Sequence, residues 1–258
     1  MKVIILAGGL GTRLSEETES KPKPMVLVHD KPILWHLMNS FAAQGLDEFV
    51  LALGYRGDVI KRWLLDINDL DGDISINTST KEVRHLDNNP RQKWQVSALE
   101  TGLQTQTGGR IKKSMQSTGK ERVLVTYGDG LANIQISKLI KFHESHGKLA
   151  TLSAVRPPAR FGHLHLDEDR VSHFGEKNQS DEGWINGGFF ILEPEVMSYV
   201  HADSEPFETG ALPRLVSENQ LMAYKHEGFW QPMDTLREKN DLSEMAKLSP
   251  PPWLRMDS

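Results

Sequence analysis

The sequence predicts an α/β protein: a Rossmann-like, doubly wound sheet that is mixed but mainly parallel, with a smaller antiparallel insertion. Three observations predict it. Short apolar runs alternate with segments of helical periodicity over residues 3–65, the order that builds parallel sheets through right-handed crossovers. The runs at 3–7 and 123–127 are apolar and of strand length, as in buried central strands. Residues 163–174 instead alternate around a polar turn, which marks a hairpin.

The elements follow in order. Val3-Ile4-Ile5-Leu6-Ala7 reads as a buried strand, and Gly8, Gly9 and Gly11 follow at once. Residues 32–44 read as a helix, with Pro32 in its first turn and Ile33, Leu34, Leu37, Met38 and Phe41 at helical spacing. A strand at 49–53 ends at Gly54, and a helix follows at 58–65. The polar stretch 66–89 contains an alternating edge strand at 74–77, and a further strand is expected at 94–99. Gly108-Gly109-Arg110 precedes a helix at 111–116, and the strand 123–127 stops at Gly128-Asp129-Gly130. Then come a helix at 135–146, a strand at 149–155, the hairpin 163–174 and a strand at 185–192. Helices at 193–200 and 212–219 precede apolar segments at 221–224 and 228–233, a last helix at 235–247, and the Pro250-Pro251-Pro252 tail.

Composition narrows the function. The 258 residues fit one domain, 1–258, and 38% hydrophobic with 25% charged residues describes a folded globular chain. A net charge of −5 gives no global attraction to nucleic acid or anionic membranes, so anionic ligands must be held by local cations. There is no cysteine, which excludes disulfides and thiolate metal sites. No apolar run approaches the ~20 residues of a membrane span, and no basic segment leads into a signal-peptide core. A cytoplasmic protein is expected.

The stretch 2–25 carries the densest chemistry. Glycines directly after a strand expose backbone N–H groups to a phosphate because no Cβ blocks the approach. Arg13 adds a rigid cationic fork, and Lys21 and Lys23 add mobile ammonium groups. Gly11-Thr12-Arg13 is not a Walker A ending. Leu14 stands where the dinucleotide fingerprint needs its third glycine, which argues against a dinucleotide-dependent oxidoreductase. Asp129, between glycines at a strand end, suits a hard cation beside phosphate, but equally an Asp-Gly turn. Asp234 is either a second carboxylate for the same cation or the N-cap of the final helix.

The string A-G-G-x-G-T-R-L followed by K-P-K-P resembles the signature of the sugar-1-phosphate nucleotidyltransferases, and within them the glucose-1-phosphate cytidylyltransferases. The likeness runs from Met1 to about Trp253 and includes Thr107-Gly108-Gly109-Arg110 and the run Gly228-Phe229-Trp230-Gln231-Pro232-Met233-Asp234-Thr235-Leu236-Arg237. It implies nucleotide binding by Leu6, Ala7, Gly8, Gly9, Leu10, Gly11, Thr12, Arg13, Lys23, Thr107, Gly109, Arg110 and Gly128, with 107–110 reading the cytosine base. It implies catalytic roles for Arg13 and Lys23, and Mg²⁺ held by Asp129 and Asp234. Glu176, Lys177, Asn186 and Gly187 would hold the sugar phosphate, within a sugar-binding portion at about 156–234. The implied substrates are CTP and glucose 1-phosphate, the products CDP-glucose and pyrophosphate, and the implied assembly a homo-oligomer, trimer-based or hexameric.

Two departures stand out. Relatives tend to read F-x-E-K-P where this chain has Phe174-Gly175-Glu176-Lys177-Asn178, and Glu-Pro-Leu where it has Gly210-Ala211-Leu212. Another sugar phosphate, another nucleotide, or a silent homologue that only binds a nucleotide sugar are the competing readings. The joint presence of Arg13, Lys23, Asp129 and Asp234 argues against the last.

Overall fold

The computed structural model describes residues 1–9, 14–67, 72–87, 92–119, 121–157, 162–167, 170–176 and 183–256. Seven strands form the central sheet: β1 (Val3–Ala7), β2 (Glu48–Leu53), β3 (Gln95–Glu100), β4 (Val123–Tyr127), β5 (Ala150–Val155), β6 (Ile185–Leu192) and β7 (Leu221–His226). Their order across the sheet is β7-β5-β6-β4-β1-β2-β3. Only β6 runs against its neighbours, pairing antiparallel with both β4 and β5. The sheet is therefore mixed and mainly parallel, as the sequence predicts.

β1 is central because it is apolar at every position, and all five of its residues are buried. Its side chains divide with the period of two that a pleated strand imposes. Val3, Ile5 and Ala7 join one core with Leu37 and Phe41 of helix α1 (Ile33–Ala42). Ile4 and Leu6 join a second core on the other face with Ile111, Met115, Phe207 and Leu215. A strand apolar on both faces needs cover on both, and helices supply it.

The register of β1 against β4 places the site. Leu6 stands opposite Tyr127, and Gly128 N–H donates to Leu6 O at 3.1 Å. The glycine turn after β1 and the Gly128-Asp129 turn after β4 thus leave the sheet side by side at its carboxyl end, where α/β sheets bind ligands.

Four expectations change. The strand at 74–77 is outside the central sheet and, among the described residues, pairs only with Glu82–His85. Gly108 and Gly109 lie inside a helix, α2 (Thr107–Ser117), rather than before one. A Cβ on Gly108 would come within 2.7 Å of Glu205 O, and one on Gly109 within 2.5 Å of Asp203 O, so the glycines let the first turn press against the 203–207 backbone. The segment 193–200 is a 3₁₀ helix, Pro194–Tyr199, with proline in its first turn. Trp230–Pro232, read as an approach to the last helix, forms a short antiparallel ladder with Gly130–Ala132. The hairpin is present as Gly162–Asp167 with Arg170–Glu176.

Candidate active site

The short ladder joins the two sequence-distant aspartates. Pro232 pairs with Gly130, and Met233 N–H donates to Asp129 O at 2.8 Å. Asp234 is thereby delivered beside Asp129. It is not the N-cap of the final helix, α3 (Leu236–Ala246). Thr235 takes that role in a capping box with Glu238, and Glu238 also accepts from Asp234 N–H at 2.7 Å.

Lys23 lies between the two carboxylates. Its Nζ is 2.6 Å from Asp129 Oδ2 and 2.7 Å from Asp234 Oδ1, and its side chain is only 10% exposed. Burial alone would pull the ammonium down, but the two carboxylates outweigh it and raise Lys23 above the ordinary lysine value. Asp129 and Asp234 therefore converge on one cation. Two carboxylates with oxygen positions left for phosphate and water are what Mg²⁺ commonly takes from a protein. Among the described residues no cluster of three or more metal-ligating side chains exists. Lys21 turns away to Glu17 at 3.1 Å.

Two cavities meet here. One, of about 350 Å³, is floored by Leu6, Ala7, Gly8 and Gly9 and walled by Thr107 and Gly128. The other, of about 550 Å³, is lined by Asn186, Gly187, Trp230 and Asp234. Tyr127 and Asp129 line both, and Lys23 lines the first. The structure thus brings together Leu6, Ala7, Gly8, Gly9, Lys23, Thr107, Arg110, Gly128 and Asp129 in one cavity, and Asn186, Gly187, Asp129 and Asp234 in the next. Gly109 faces the 203–207 backbone instead. Leu10, Gly11, Thr12, Arg13 and Lys177 lie outside the described residues, as does the side chain of Glu176.

Arg110 is engaged from below. Its guanidinium donates to Leu53 O at 2.8 Å, Thr101 Oγ1 at 2.5 Å and Gly8 O at 3.0 Å. It fastens the glycine turn to the end of β2. Gly8 and Gly54 are glycine for this reason, since a Cβ on either would collide with the guanidinium.

Sequence reasoning missed Tyr127, Glu208 and Trp230. Tyr127 sits one residue before a recognised turn. Trp230 donates from Nε1 to Gly187 O at 2.8 Å and so backs the second cavity. Glu208 accepts from the Tyr127 hydroxyl and from Thr107 Oγ1 at 2.6 Å. No local pattern announces it. Burial first, and Glu208 second, push the Tyr127 phenol far above its ordinary value, so it stays protonated.

The nucleotidyl transferase family matches residues 2–238. The chain belongs to that family. It is 44% identical over 256 residues to the glucose-1-phosphate cytidylyltransferase of Salmonella typhi, covering 98% of both chains. It is 40% identical over 254 residues to a probable glucose-1-phosphate cytidylyltransferase of Bacillus subtilis, covering 98% of this chain and 99% of that one. Among solved structures, HddC from Yersinia pseudotuberculosis complexed with GMP-PN aligns with a TM-score of 0.67 at 26% identity, over 95% of this chain and 99% of that one. This family member has two cavities that meet at a paired aspartate centre. Among the described residues no helix is long and apolar enough to cross a membrane.

Proposed function

We propose that this chain transfers a cytidylyl group from CTP to α-D-glucose 1-phosphate, giving CDP-glucose and pyrophosphate. The observation that carries the reading is the junction. Two cavities share Asp129 and Tyr127, and at the shared wall Lys23 and two carboxylates form one charged centre. A group moving between two bound phosphates needs such a meeting point. The named substrates rest on the full-length likeness to the cytidylyltransferases.

The glucose 1-phosphate oxygen attacks the α-phosphorus in line, and pyrophosphate departs on the opposite side. No protein nucleophile takes part, so rate comes from positioning and charge neutralisation. The Gly8-Gly9 backbone holds the nucleotide over the end of β1. Asp129 and Asp234 would hold Mg²⁺, which when bound neutralises phosphate oxygens. Lys23 donates to the phosphate at the junction, and Arg13 draws off charge on the departing pyrophosphate. Asn186 and Gly187 face the sugar side, with Glu176 and Lys177 completing it. The reaction is soluble chemistry placed in the cytoplasm, carried out by a homo-oligomer.

The test is pyrophosphate release with Mg²⁺ and glucose 1-phosphate, comparing CTP, UTP, dTTP, ATP and GTP. Release with CTP alone is the expected result. Release with another triphosphate moves the base assignment, and none with any sends the search to other sugar phosphates. Arg13→Ala should lower turnover at least a hundredfold while barely weakening sugar-phosphate binding; near-normal turnover would remove Arg13 from the mechanism.

A further inference from the structure

Hydrogen bonds through Glu208 join Thr107 of the first cavity to Tyr127, which lines both. At the sugar end, Gly188 N–H donates to Asn186 Oδ1 at 2.8 Å. This fixes the Asn186 amide in the wall of the second cavity, beside Tyr127. The Tyr127 hydroxyl donates to Glu208 Oε1. At the nucleotide end, Phe207 N–H donates to Thr107 Oγ1 at 2.8 Å, and the Thr107 hydroxyl donates to Glu208 Oε2 at 2.6 Å. Phe207 N–H fills one lone pair of the Thr107 hydroxyl, and the Thr107 and Tyr127 hydroxyls both turn their hydrogens to one side chain, Glu208.

Glu208 can receive both. A carboxylate is the side chain that accepts at both oxygens and donates at neither. Among the described residues it has no ion-pair partner that would account for it otherwise. The ring it anchors is clamped elsewhere too. Gly188 has a φ of +81°, and a Cβ there would lie 2.5 Å from Tyr127 Cδ2. Phe190 meets the ring edge-on at 6.1 Å. Thr107 and Tyr127 line the first cavity and Tyr127 and Asn186 the second, so the chain fixes polar groups in both.

We propose that Glu208 is a positioning residue for the transfer reaction, the common acceptor that orients Thr107 on the nucleotide side and Tyr127 at the wall the two cavities share. This rests on the assignment of the two cavities given above. Glu208 touches neither substrate and acts through the hydroxyl groups it receives. Replacing one of its oxygens by an amide N–H₂ sets donor against donor. Relief would require the Thr107 or the Tyr127 hydroxyl to turn its hydrogen away and accept from the amide instead.

The test is a double-mutant cycle of Glu208→Gln and Tyr127→Phe, read by steady-state kinetics and by thermal denaturation. Glu208→Gln should lower kcat/KM roughly tenfold or more, because a misaligned, partly buried polar chain is costly, and should raise KM for CTP and for glucose 1-phosphate together. In the Tyr127→Phe background only Thr107 is left to donate, and Glu208→Gln should cost less than threefold. The same coupling should appear in Tm. Equal losses in both backgrounds, or a wild-type Glu208→Gln enzyme, would overturn the proposal. Coupling in Tm with no turnover in the wild type would instead sink the activity and retain the chain; independent effects on Tm would sink the chain whatever the activity.

Discussion

Arg110 has a structural task that its place in the sequence does not announce. The sequence puts it beside a Thr-Gly-Gly turn; the structure puts its guanidinium under Gly8 and the end of β2. A planar fork reaches two separated carbonyls and a hydroxyl from two nitrogens in fixed geometry, whereas an ammonium offers its three donors from a single point. Arg110→Lys should therefore weaken nucleotide binding about tenfold or more and lower Tm, while retaining the charge. Nucleotide affinity unchanged in that variant, measured by calorimetry, would show that charge alone suffices. Lys23 is the complementary case, a cation among anions. Without it Asp129 and Asp234 face each other with their principal counter-charge gone. Lys23→Ala should destabilise the ligand-free protein by about 2 kcal/mol, less than the 3–5 of a fully buried pair, because the Asp129 side chain is 35% exposed. Added Mg²⁺ should recover part of that loss. A Tm that neither falls with the substitution nor rises with Mg²⁺ would separate Lys23 from the carboxylate pair.

At the scale of elements, what the sequence conceals is pairing across long separations. Strands such as β1 and β4 announce themselves because their buried faces write an apolar run into the chain. Trp230–Pro232 is three residues long and carries no periodicity, so its role in delivering Asp234 emerges only once Gly130–Ala132 lies beside it. Glu208 is 81 residues from Tyr127 and 101 from Thr107, and a lone glutamate in a loop gives no local signal. The Gly210-Ala211-Leu212 departure also becomes intelligible here. The Glu205 side chain occupies the space a side chain at 210 would need, and its carboxylate pairs with Arg214 of the helix Ala211–Ser217. In this chain the carboxylate at the helix start is that of Glu205, five residues before Gly210. Glu205→Ala should cost about 1–2 kcal/mol by removing a charge-assisted hydrogen bond. Gly210→Glu should lower Tm in the wild type and raise it in the Glu205→Ala background. A second substitution that destabilises both backgrounds equally would refute that role for Glu205.

Across the whole molecule, ion pairs occupy both ends of the central sheet. In a chain of net charge −5, Lys23 meets Asp129 and Asp234 at the end where β1 and β4 finish. At the far end Glu193, just beyond β6, receives Arg122 at 2.7 Å and His143 Nε2 at 3.1 Å, while His143 Nδ1 meets Thr151 Oγ1 at 2.8 Å. Burial is the largest influence on His143, and it prevails over the attraction of Glu193 and Glu144 to hold the ring below the ordinary histidine value. His36 and His146 are held down by burial in the same way. The consequence for stability has a definite sign. Below about 6.5 the unfolded chain protonates these three rings while the fold keeps them neutral, so the unfolded state binds more protons and stability rises with pH through that window. Acidification from pH 7 to 5.5 should therefore lower Tm. The slope cannot exceed about 1.4 kcal/mol per pH unit for each ring that differs by a full proton. His143→Gln offers polar atoms to Thr151 and Arg122 without a titrating proton, and its Tm should fall less steeply over the same range. A wild-type Tm that is flat or rising on acidification would mean that the Glu193–Arg122 pair and its neighbours accept the protonated ring without penalty, and the acid sensitivity would then have to originate in the carboxylates at lower pH.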